Sequence, residues 1–343
     1  MNPKRWAEMF HRIVSGEARG VGAAFARFGL SGASVLYGVA AALKNAAYDR
    51  GWKAAHRAAV PVVSVGNLTL GGTGKTPCVE YLARFYRDRD VRVAVLSRGY
   101  GAGAGRNDEA MVLEANLPDV PHLQGADRVA LAATAVDELE SELLLLDDGF
   151  QHRRLARDLD VVLLDATNPW GHGRLFPRGL LRESPRGLRR ADAVARLRDD
   201  VGRRTKPGVP VVESQHRPAA WLQEGQPDRP PDALAGRPVA AFCGIGNPGA
   251  FRRTLAGLGL EPVAFRTFPD HHGYTRADVD GLRTWARQQP AGTALVTTQK
   301  DAVKLRTGRV GEFDLFALRV GLHVAPGPDA ERFHERLAAV IPD

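Results

Sequence analysis

Residues 60–77 read VPVVSVGNLTLGGTGKTP, and this stretch decides the fold. Its first eight residues are a β-branched run that predicts a buried strand, and a glycine-rich turn and a helix-like segment follow. The turn ends in Gly74-Lys75-Thr76, the close of a phosphate-binding loop, although the usual G-x-x-x-x-G-K-[ST] pattern expects glycine where Thr69 stands. Strand, glycine turn and helix in this order are the context that a phosphate loop requires, so we predict a nucleotide site.

The chemistry of this loop follows from its backbone. Successive N–H groups point inward, and the helix N-terminus adds partial positive charge. Lys75 can reach the β- and γ-phosphates of ATP, and the Thr76 hydroxyl can complete the shell of a Mg²⁺ ion. Thr69 lies at the loop entrance, where the chain can be extended and needs no positive φ. The predicted ATP-binding residues of the loop are Thr69, Leu70, Gly71, Gly72, Thr73, Gly74, Lys75 and Thr76.

Further strands alternate with helices after the loop. An apolar strand at 143–148 (LLLLDD) delivers Asp147 and Asp148 at its carboxyl end, and another strand follows at 160–166. This alternation predicts an α/β fold with a parallel, doubly wound sheet, whose ligands bind at the carboxyl ends of the strands. An acid at the end of 143–148 can hold Mg²⁺ directly or through water, and the pattern leaves open which of the two does so.

Changes in sequence texture divide the chain into segments. A proline-rich stretch with one strand-like piece, VPVVES, separates two α/β regions and is typical of an inter-domain connection. The predicted boundaries are a basic helical segment at 1–58, a phosphate-loop lobe at 59–205, a linker with a β-strand at 206–235, a second, smaller α/β lobe at 236–311, and a returning strand and C-terminal helix at 312–343.

Positive charge is concentrated at the N-terminus. Residues 1–60 hold nine Lys and Arg against three Asp and Glu, out of a net charge of +8 for the whole chain. The uncharged run 28–43 has only 16 residues, fewer than the ~20 that a spanning helix needs. We expect a helix that lies on an anionic membrane surface, although a basic helical pair packed on its own domain would show the same pattern.

Aromatic and basic residues are not interleaved, so nucleic acid is not expected as a partner. Two distant cysteines, Cys78 and Cys243, favour a reducing compartment.

Seven motifs together carry a family resemblance. They are GNLTLGGTGKTP, VLSRGYG, LLLDDGFQHRRLARDLDVVLLDA, GRLFPRGLLRE, AFCGIGNPGAFRRTL, FPDHH and TTQKDAVKL, in this order. With them the chain resembles the tetraacyldisaccharide 4′-kinases of lipid A biosynthesis over nearly its whole length. The resemblance implies two α/β lobes joined by a two-stranded linker, and ATP-dependent phosphorylation of the 4′-hydroxyl of a tetraacyl glucosamine disaccharide 1-phosphate. It also implies a peripheral enzyme on the cytoplasmic face of the bacterial inner membrane.

The resemblance extends to single site residues. The family's catalytic carboxylate lies in a GDE-type segment, which matches NDEA here and makes Asp108 the expected base, with Asn107 in place of glycine. The family's histidine lies in a DH motif, which matches Asp270-His271, although His272 is a near rival. Two more residues, Gln151 and Glu183, resemble nucleotide-side or metal-side residues of the family. Each of these two could instead make a surface or inter-lobe polar contact.

The expected chemistry is phosphoryl transfer, which depends on in-line placement and charge stabilisation. Asp108 would accept the proton of the sugar hydroxyl, and His271 would orient it or raise its basicity. Lys75 and a Mg²⁺ ion on Thr76 with Asp147 or Asp148 would neutralise phosphate charge. We expect Asp108 and the phosphate loop in one lobe and His271 in the other, so that lobe closure would assemble the site.

Three other functions fit parts of the sequence. GGTGKT also occurs in NTPase switches and transport ATPases, which need no lipid acceptor, but TQKD at 298–301 does not match the N-K-x-D of guanine binders. GIGNPG at 244–249 matches a dinucleotide-binding turn, yet no acid follows at ~20 residues and Pro248 removes an N–H. A non-enzymatic membrane-binding module would leave Lys75, Thr76 and the paired aspartates without a purpose.

Overall fold

The structure is a computed structural model that describes residues 3–71, 74–99, 108–165, 168–196 and 205–341. Within it the chain forms two compact units. Unit 1 comprises Met1–Arg98, Asp119–Gln215 and Val324–Asp343, and unit 2 comprises Gly99–Pro118 and His216–His323.

These units differ from the predicted segments in several places: the predicted linker at 206–235 is divided between them after Gln215, and the predicted last segment at 312–343 is divided after His323. Residues 99–118, expected in the phosphate-loop lobe, belong to unit 2. The N-terminal helices and the C-terminal helix, expected as separate segments, both belong to unit 1. The reason is contact between residues that are far apart in the chain: Ser34 of the N-terminal helices donates a hydrogen bond to the Leu175 carbonyl, and Tyr86 donates one to the Leu337 carbonyl of the C-terminal helix.

Unit 1 is built on a parallel sheet. In chain order its strands are β1 (Val62–Asn67), β2 (Val93–Ser97), β3 (His122–Gln124), β4 (Leu143–Asp147), β5 (Leu159–Leu163), β6 (Ala193–Arg196) and the start of β7 (Val211–Leu222). Their spatial order is β3-β2-β4-β1-β5-β6-β7, and adjacent strands run parallel. The predicted doubly wound α/β class is confirmed; the short strands β3 and β6 were not foreseen.

The sheet places β1 beside β4, so their carboxyl ends meet. Val65 of β1 is in register with Asp147 of β4. The two strands are close enough that a Cβ on Gly66 would lie 2.5 Å from Phe150 Cβ and 2.8 Å from its backbone nitrogen. Glycine at this position is therefore a steric requirement of the fold, and it brings the segment after β4 against the entrance of the phosphate loop.

The helices of unit 1 pack against this sheet or along its edges. They are α1 (Pro3–Ser15), α2 (Val21–Asp49), α3 (Lys75–Arg87), α5 (Arg128–Asp137) and α9 (Pro328–Ala338), with 3₁₀ turns at Gly171–Gly173 and Pro185–Arg190. The C-terminal α9 lies on α3, where Tyr81 Oη is 2.6 Å from His334 Nε2 and Tyr86 donates a hydrogen bond to the Leu337 carbonyl.

Unit 2 is a smaller α/β unit. Its elements are α4 (Asp108–Asn116), the rest of β7, β8 (Val239–Cys243), α6 (Pro248–Gly257), β9 (Ala264–Thr267), α7 (Arg276–Ala286), β10 (Ala294–Thr298), α8 (Gln299–Leu305), β11 (Arg309–Val310) and β12 (Phe313–Val324). The strand order is β7-β12-β10-β8-β9, with β11 antiparallel to β12. Helix α4 packs on α8, and Gln299 donates to Asn116 Oδ1 at 2.6 Å.

Helix α2 has two different faces. At 29 residues it exceeds the uncharged run seen in the sequence, and among the described residues it is the one helix long and apolar enough to cross a membrane by length and composition. One face is hydrogen-bonded to the rest of unit 1: Ser34 donates to the Leu175 carbonyl, and Tyr37 donates to the Arg182 carbonyl. The other face exposes large apolar side chains, namely Val21, Phe25, Phe28, Val35, Leu36, Val39 and Leu43.

Candidate active site

The described part of the phosphate loop lies between β1 and α3. Thr69 forms an antiparallel bridge with Leu181, and its φ is not positive, as an extended loop entrance requires. Gly71 and Gly74 adopt φ of 111° and 79°, which glycine adopts without strain. Gly74 is followed directly by α3, so Lys75 and Thr76 lie at a helix N-terminus. The predicted loop residues Gly72 and Thr73, like Asn107, lie outside the described residues.

Lys75 faces the aspartate that follows β4. Its Nζ lies 3.6 Å from Asp148 Oδ1, and Arg182 Nη1 lies 2.7 and 2.8 Å from the two Asp148 oxygens. Burial raises the pKa of Asp148, but the positive charges of Lys75 and Arg182 lower it by a larger amount. The net shift of the pKa is downward, and the carboxylate is ionised. Asp148 also has φ of 54°, rare for a non-glycine residue and typical of functional sites.

The oxygen donors expected for Mg²⁺ lie at the same edge of the sheet. Thr76 is buried in the first turn of α3, and Asp147 is buried as the last residue of β4. Hydroxyl and carboxylate oxygens are ligands that Mg²⁺ accepts, and such sites are completed by water and substrate phosphates. The described residues contain no group of three or more His, Cys, Asp or Glu side chains that could hold a metal ion.

Gln151 and Glu183 meet in one hydrogen-bond network. Gln151 Nε2 donates to Glu183 Oε1 at 3.0 Å and to the Asn67 carbonyl at the end of β1. Glu183 also accepts from Asn45 of α2, and Arg190 Nη2 contacts both of its oxygens at 2.8 and 2.9 Å. Both carboxylate oxygens of Glu183 are thus already engaged by the protein, which is the pattern of an inter-element polar contact.

In unit 2, Asp108 and His271 form a close pair. His271 Nδ1 lies 3.0 and 2.9 Å from the two carboxylate oxygens of Asp108. The Asp108 side chain is 6% exposed and that of His271 is 60% exposed. Asp108 is the first residue of α4, whereas His271 adopts φ of 55° in the turn after β9. Because both residues belong to unit 2, their pairing does not require the lobe closure that the sequence suggested.

The contact between Asp108 and His271 changes the pKa of both residues. Burial raises the pKa of Asp108, but the hydrogen bond and charge of His271, together with the charges of Lys300 and Lys304, lower it by a larger amount. The net shift of this pKa is downward. The hydrogen bond that His271 Nδ1–H donates to Asp108 raises the pKa of His271 above its usual value, and burial partly offsets this rise. The proton therefore belongs to the imidazole, and Asp108 is ionised.

His272, the rival histidine, has a different environment. Its ring stacks on Phe268 and lies edge-on to Tyr274, each at a centroid distance of 5.0 Å. Its Nε2 lies 3.1 Å from Asp278. The structure brings His271, and not His272, to Asp108.

Several neighbours of these residues were not picked out from the sequence. Arg182 contacts Asp148, Lys300 Nζ contacts Glu109 at 2.8 Å, and Lys304 lies between Asp108 and Asp301. The signal that could have found them was the recurrence of charged residues inside two of the family-like motifs, GRLFPRGLLRE and TTQKDAVKL.

The GIGNPG turn is structural in its described contacts. Asn247 caps α6 by accepting a hydrogen bond from the Ala250 N–H at 3.0 Å, and Pro248 occupies the first helical turn. These are the roles that such residues have at a helix start.

Together, a phosphate loop on a doubly wound parallel sheet and a carboxylate–imidazole pair on a second α/β unit define the class: a P-loop phosphotransferase. The family model described as tetraacyldisaccharide-1-P 4′-kinase matches residues 26–342, and the chain belongs to this family.

Similar proteins agree with this assignment. The tetraacyldisaccharide 4′-kinase of Anaeromyxobacter sp. (strain Fw109-5) is 44% identical, covering 86% of each chain. That of Geobacter sulfurreducens is 38% identical and covers 86% of this chain and 89% of its own. A crystal structure of LpxK from Aquifex aeolicus in complex with ATP is 31% identical with a TM-score of 0.77, covering 92% of this chain and 99% of that one. The NTPase switch without a lipid acceptor is therefore not favoured.

Proposed function

We propose that this chain transfers the γ-phosphoryl group of ATP to the 4′-hydroxyl of a tetraacyl glucosamine disaccharide 1-phosphate. The observation that carries the proposal is the family match over residues 26–342, in a chain that holds both the phosphate loop and the Asp108–His271 pair. A nucleotide switch needs the loop alone, whereas an acceptor hydroxyl needs a group that takes its proton.

On the nucleotide side, Lys75 and the N–H groups at the start of α3 would bind the phosphates of ATP. Thr76 with Asp147 or Asp148 would hold Mg²⁺, which when bound neutralises charge on the transferring phosphates. The Asp148 carboxylate forms ion pairs with Lys75 and Arg182. When ATP binds, its phosphates would form ion pairs with these two cations instead. We propose that the Gln151 side chain lies beside the bound nucleotide. A metal role for Glu183 would require its bonds to Arg190 and Asn45 to open.

On the acceptor side, the pair of Asp108 and His271 would remove the hydroxyl proton. Sequence resemblance made Asp108 the base, but Asp108 is buried against Nδ1 of the ring, and the exposed part of the pair is His271. We therefore infer that the pair acts as a unit, with Nε2 of His271 meeting the hydroxyl and Asp108 holding the ring. The acceptor O–H bond breaks as the new O–P bond forms, the proton passes to the pair, and the bond to the β-phosphate oxygen breaks to release ADP.

The substrate class also explains α2. A lipid with four acyl chains leaves a bilayer at a cost of ~0.8 kcal/mol per CH₂, so its kinase must work at the membrane surface. The apolar stripe of α2, defined as the exposed Val21, Phe25, Phe28, Val35, Leu36, Val39 and Leu43, suits insertion into the acyl boundary. Because Ser34, Tyr37 and Asn45 bind unit 1 on the opposite face, α2 is proposed to lie in the surface and not to span the bilayer. The cytoplasmic face of the inner membrane, where ATP is present, is the proposed location.

The direct test is transfer of labelled γ-phosphate from ATP to the tetraacyl disaccharide 1-phosphate. We expect product with the wild type and little with Lys75→Met or Asp108→Asn. ATP turnover that is independent of the acceptor would support the NTPase alternative instead. Full activity of Asp108→Asn would remove the proposed role of the pair and leave the kinase activity standing.

A further inference from the structure

Lys304 is a buried cation that the proposed chemistry has not used. It lies on α8, three residues after Asp301, and its side chain is 14% exposed. Nζ lies 3.4 Å from Asp301 Oδ1 and 3.8 Å from Asp108 Oδ2, and it is buried without a hydrogen-bond partner among the described residues. Burying an ammonium is costly unless opposite charge lies close to it. Its place is therefore set by these two carboxylates.

Asp301 is a rigid anchor for this lysine. It is fully buried, and its carboxylate accepts hydrogen bonds from the Gly244 N–H at 3.0 Å, the Thr298 hydroxyl at 2.6 Å and the Tyr274 hydroxyl at 3.0 Å. With three donors from three different segments, the carboxylate has little freedom to move. Lys304, held against it, is directed at Asp108.

The same aspartate also supports His271. Gly244 connects the two residues: its N–H donates a hydrogen bond to Asp301, and its carbonyl accepts one from the His271 N–H at 3.1 Å. A Cβ on Gly244 would lie 3.0 Å from Asp301 Oδ1, so this close approach suits glycine. The backbone of His271 has φ of 55°, a conformation that persists when its surroundings enforce it. Asp301 thus reaches His271 through Gly244 and Asp108 through Lys304.

We propose that Asp301 and Lys304 are a positioning pair for Asp108 and His271, fixing the backbone of the histidine and holding the carboxylate in place beside its ring. This proposal rests on the proposed function for its catalytic meaning. Neither residue is proposed to touch the substrate.

The charges around Asp108 give the direction of the effect. The cations that face it are His271, Lys300 and Lys304, while Glu109 pairs with Lys300 and Asp270 lies 3.9 Å from His271 Nε2. The charge of Lys304 lowers the pKa of Asp108, and the hydrogen bond to that carboxylate is the largest cause of the raised pKa of His271. Loss of Lys304 should release Asp108 from the ring and therefore lower the pKa of His271.

The first experiment is an NMR titration of the His271 ring in the full-length protein, without substrate. In Lys304→Met we expect the His271 pKa to fall towards its usual value, because the carboxylate that raises it is no longer held beside the ring. Lys304→Arg, which keeps the charge, should stay close to the wild type. Arg319→Met is the matched control, because Arg319 lies in unit 2 but pairs with Asp228 at 2.8 Å. An unchanged or higher His271 pKa in Lys304→Met would overturn the proposal, because removal of the charge alone raises that pKa.

The second experiment is the pH dependence of phosphoryl transfer. In Lys304→Met the acidic limb of the kcat/KM profile, which reports the free enzyme, should move to lower pH by the same amount as in the titration, with KM for ATP unchanged. A loss of activity by an equal factor at every pH would show a merely structural role and would refute the proposal. If Lys304→Met does not fold, Lys304→Gln replaces it in both experiments. If the wild type transfers no phosphate, the proposed function fails, and the titration still decides the positioning role.

Discussion

The apolar stripe of α2 allows its contribution to membrane binding to be estimated. Phe28 and Leu36 are 79% and 74% exposed, so insertion into lipid would remove about three quarters of each side chain from water. Full burial of such a side chain is worth about 1.5–3 kcal/mol, so each insertion contributes about 1–2 kcal/mol. Replacing one of them with serine should weaken vesicle partitioning by roughly tenfold, and replacing both by roughly a hundredfold, because 1.4 kcal/mol is a factor of ten.

The assay is co-sedimentation of the full-length protein with vesicles of phosphatidylethanolamine and phosphatidylglycerol, over a range of lipid concentrations. Phe28→Ser, Leu36→Ser and the double variant are compared with Leu139→Ser, a matched control in which an exposed leucine of unit 1 outside α2 is replaced. The control should partition like the wild type, and thermal melts should agree for all variants, because the replaced side chains face solvent.

Point variants are preferable to deleting the helix. Tyr37 and Asn45 of α2 hold Arg182 and Glu183 beside the phosphate loop, so a deletion would also disturb the nucleotide site. If the double variant sediments with vesicles as well as the wild type does, the stripe does not insert and the reasoning is refuted. If protein remains in the membrane after alkaline carbonate washing, α2 spans the bilayer, contrary to the proposal.

Three further predictions concern the interior of the two units. Since the His271 pKa is raised, phosphoryl transfer at limiting substrate should increase with pH through that pKa, and a pH–rate profile lacking this limb in the wild type would contradict the proposed role of the pair. Gly66→Ala should cost about 1–3 kcal/mol or more in urea unfolding because its methyl group meets Phe150, whereas Gly22→Ala, which meets nothing within 4 Å, should be neutral or slightly stabilising. Glu183→Gln should cost about 1.5–3 kcal/mol of stability through its lost bonds to Arg190; lost activity with unchanged stability would instead support a metal role.

Local features of the nucleotide site were predictable from the sequence. The order of strand, glycine turn and helix depends on neighbouring residues only, so β1, α3 and the positions of Lys75 and Thr76 followed from residues 60–77. Asp147 and Asp148 followed from an apolar strand that ends on two acids, because parallel strands deliver their carboxyl ends to one edge of a sheet.

Contacts between distant residues were not predictable in this way. Asp108 and His271 are 163 positions apart, and only family resemblance suggested their pairing. The choice of His271 over His272 depended on a backbone φ and on the packing of His272 between Phe268 and Tyr274. No local pattern encodes which of two adjacent histidine side chains meets Asp108.

The sequence by itself therefore determined the α/β class, the phosphate loop and the acids beside it, since each depends on periodicity or on spacing within a few residues. The tertiary structure alone decided that residues 99–118 belong to unit 2, that Glu183 is held by Arg190, and that Lys304 lies between Asp108 and Asp301. These features depend on which surfaces bury one another and on the cost of burying charge without a partner, and both are properties of the packed chain.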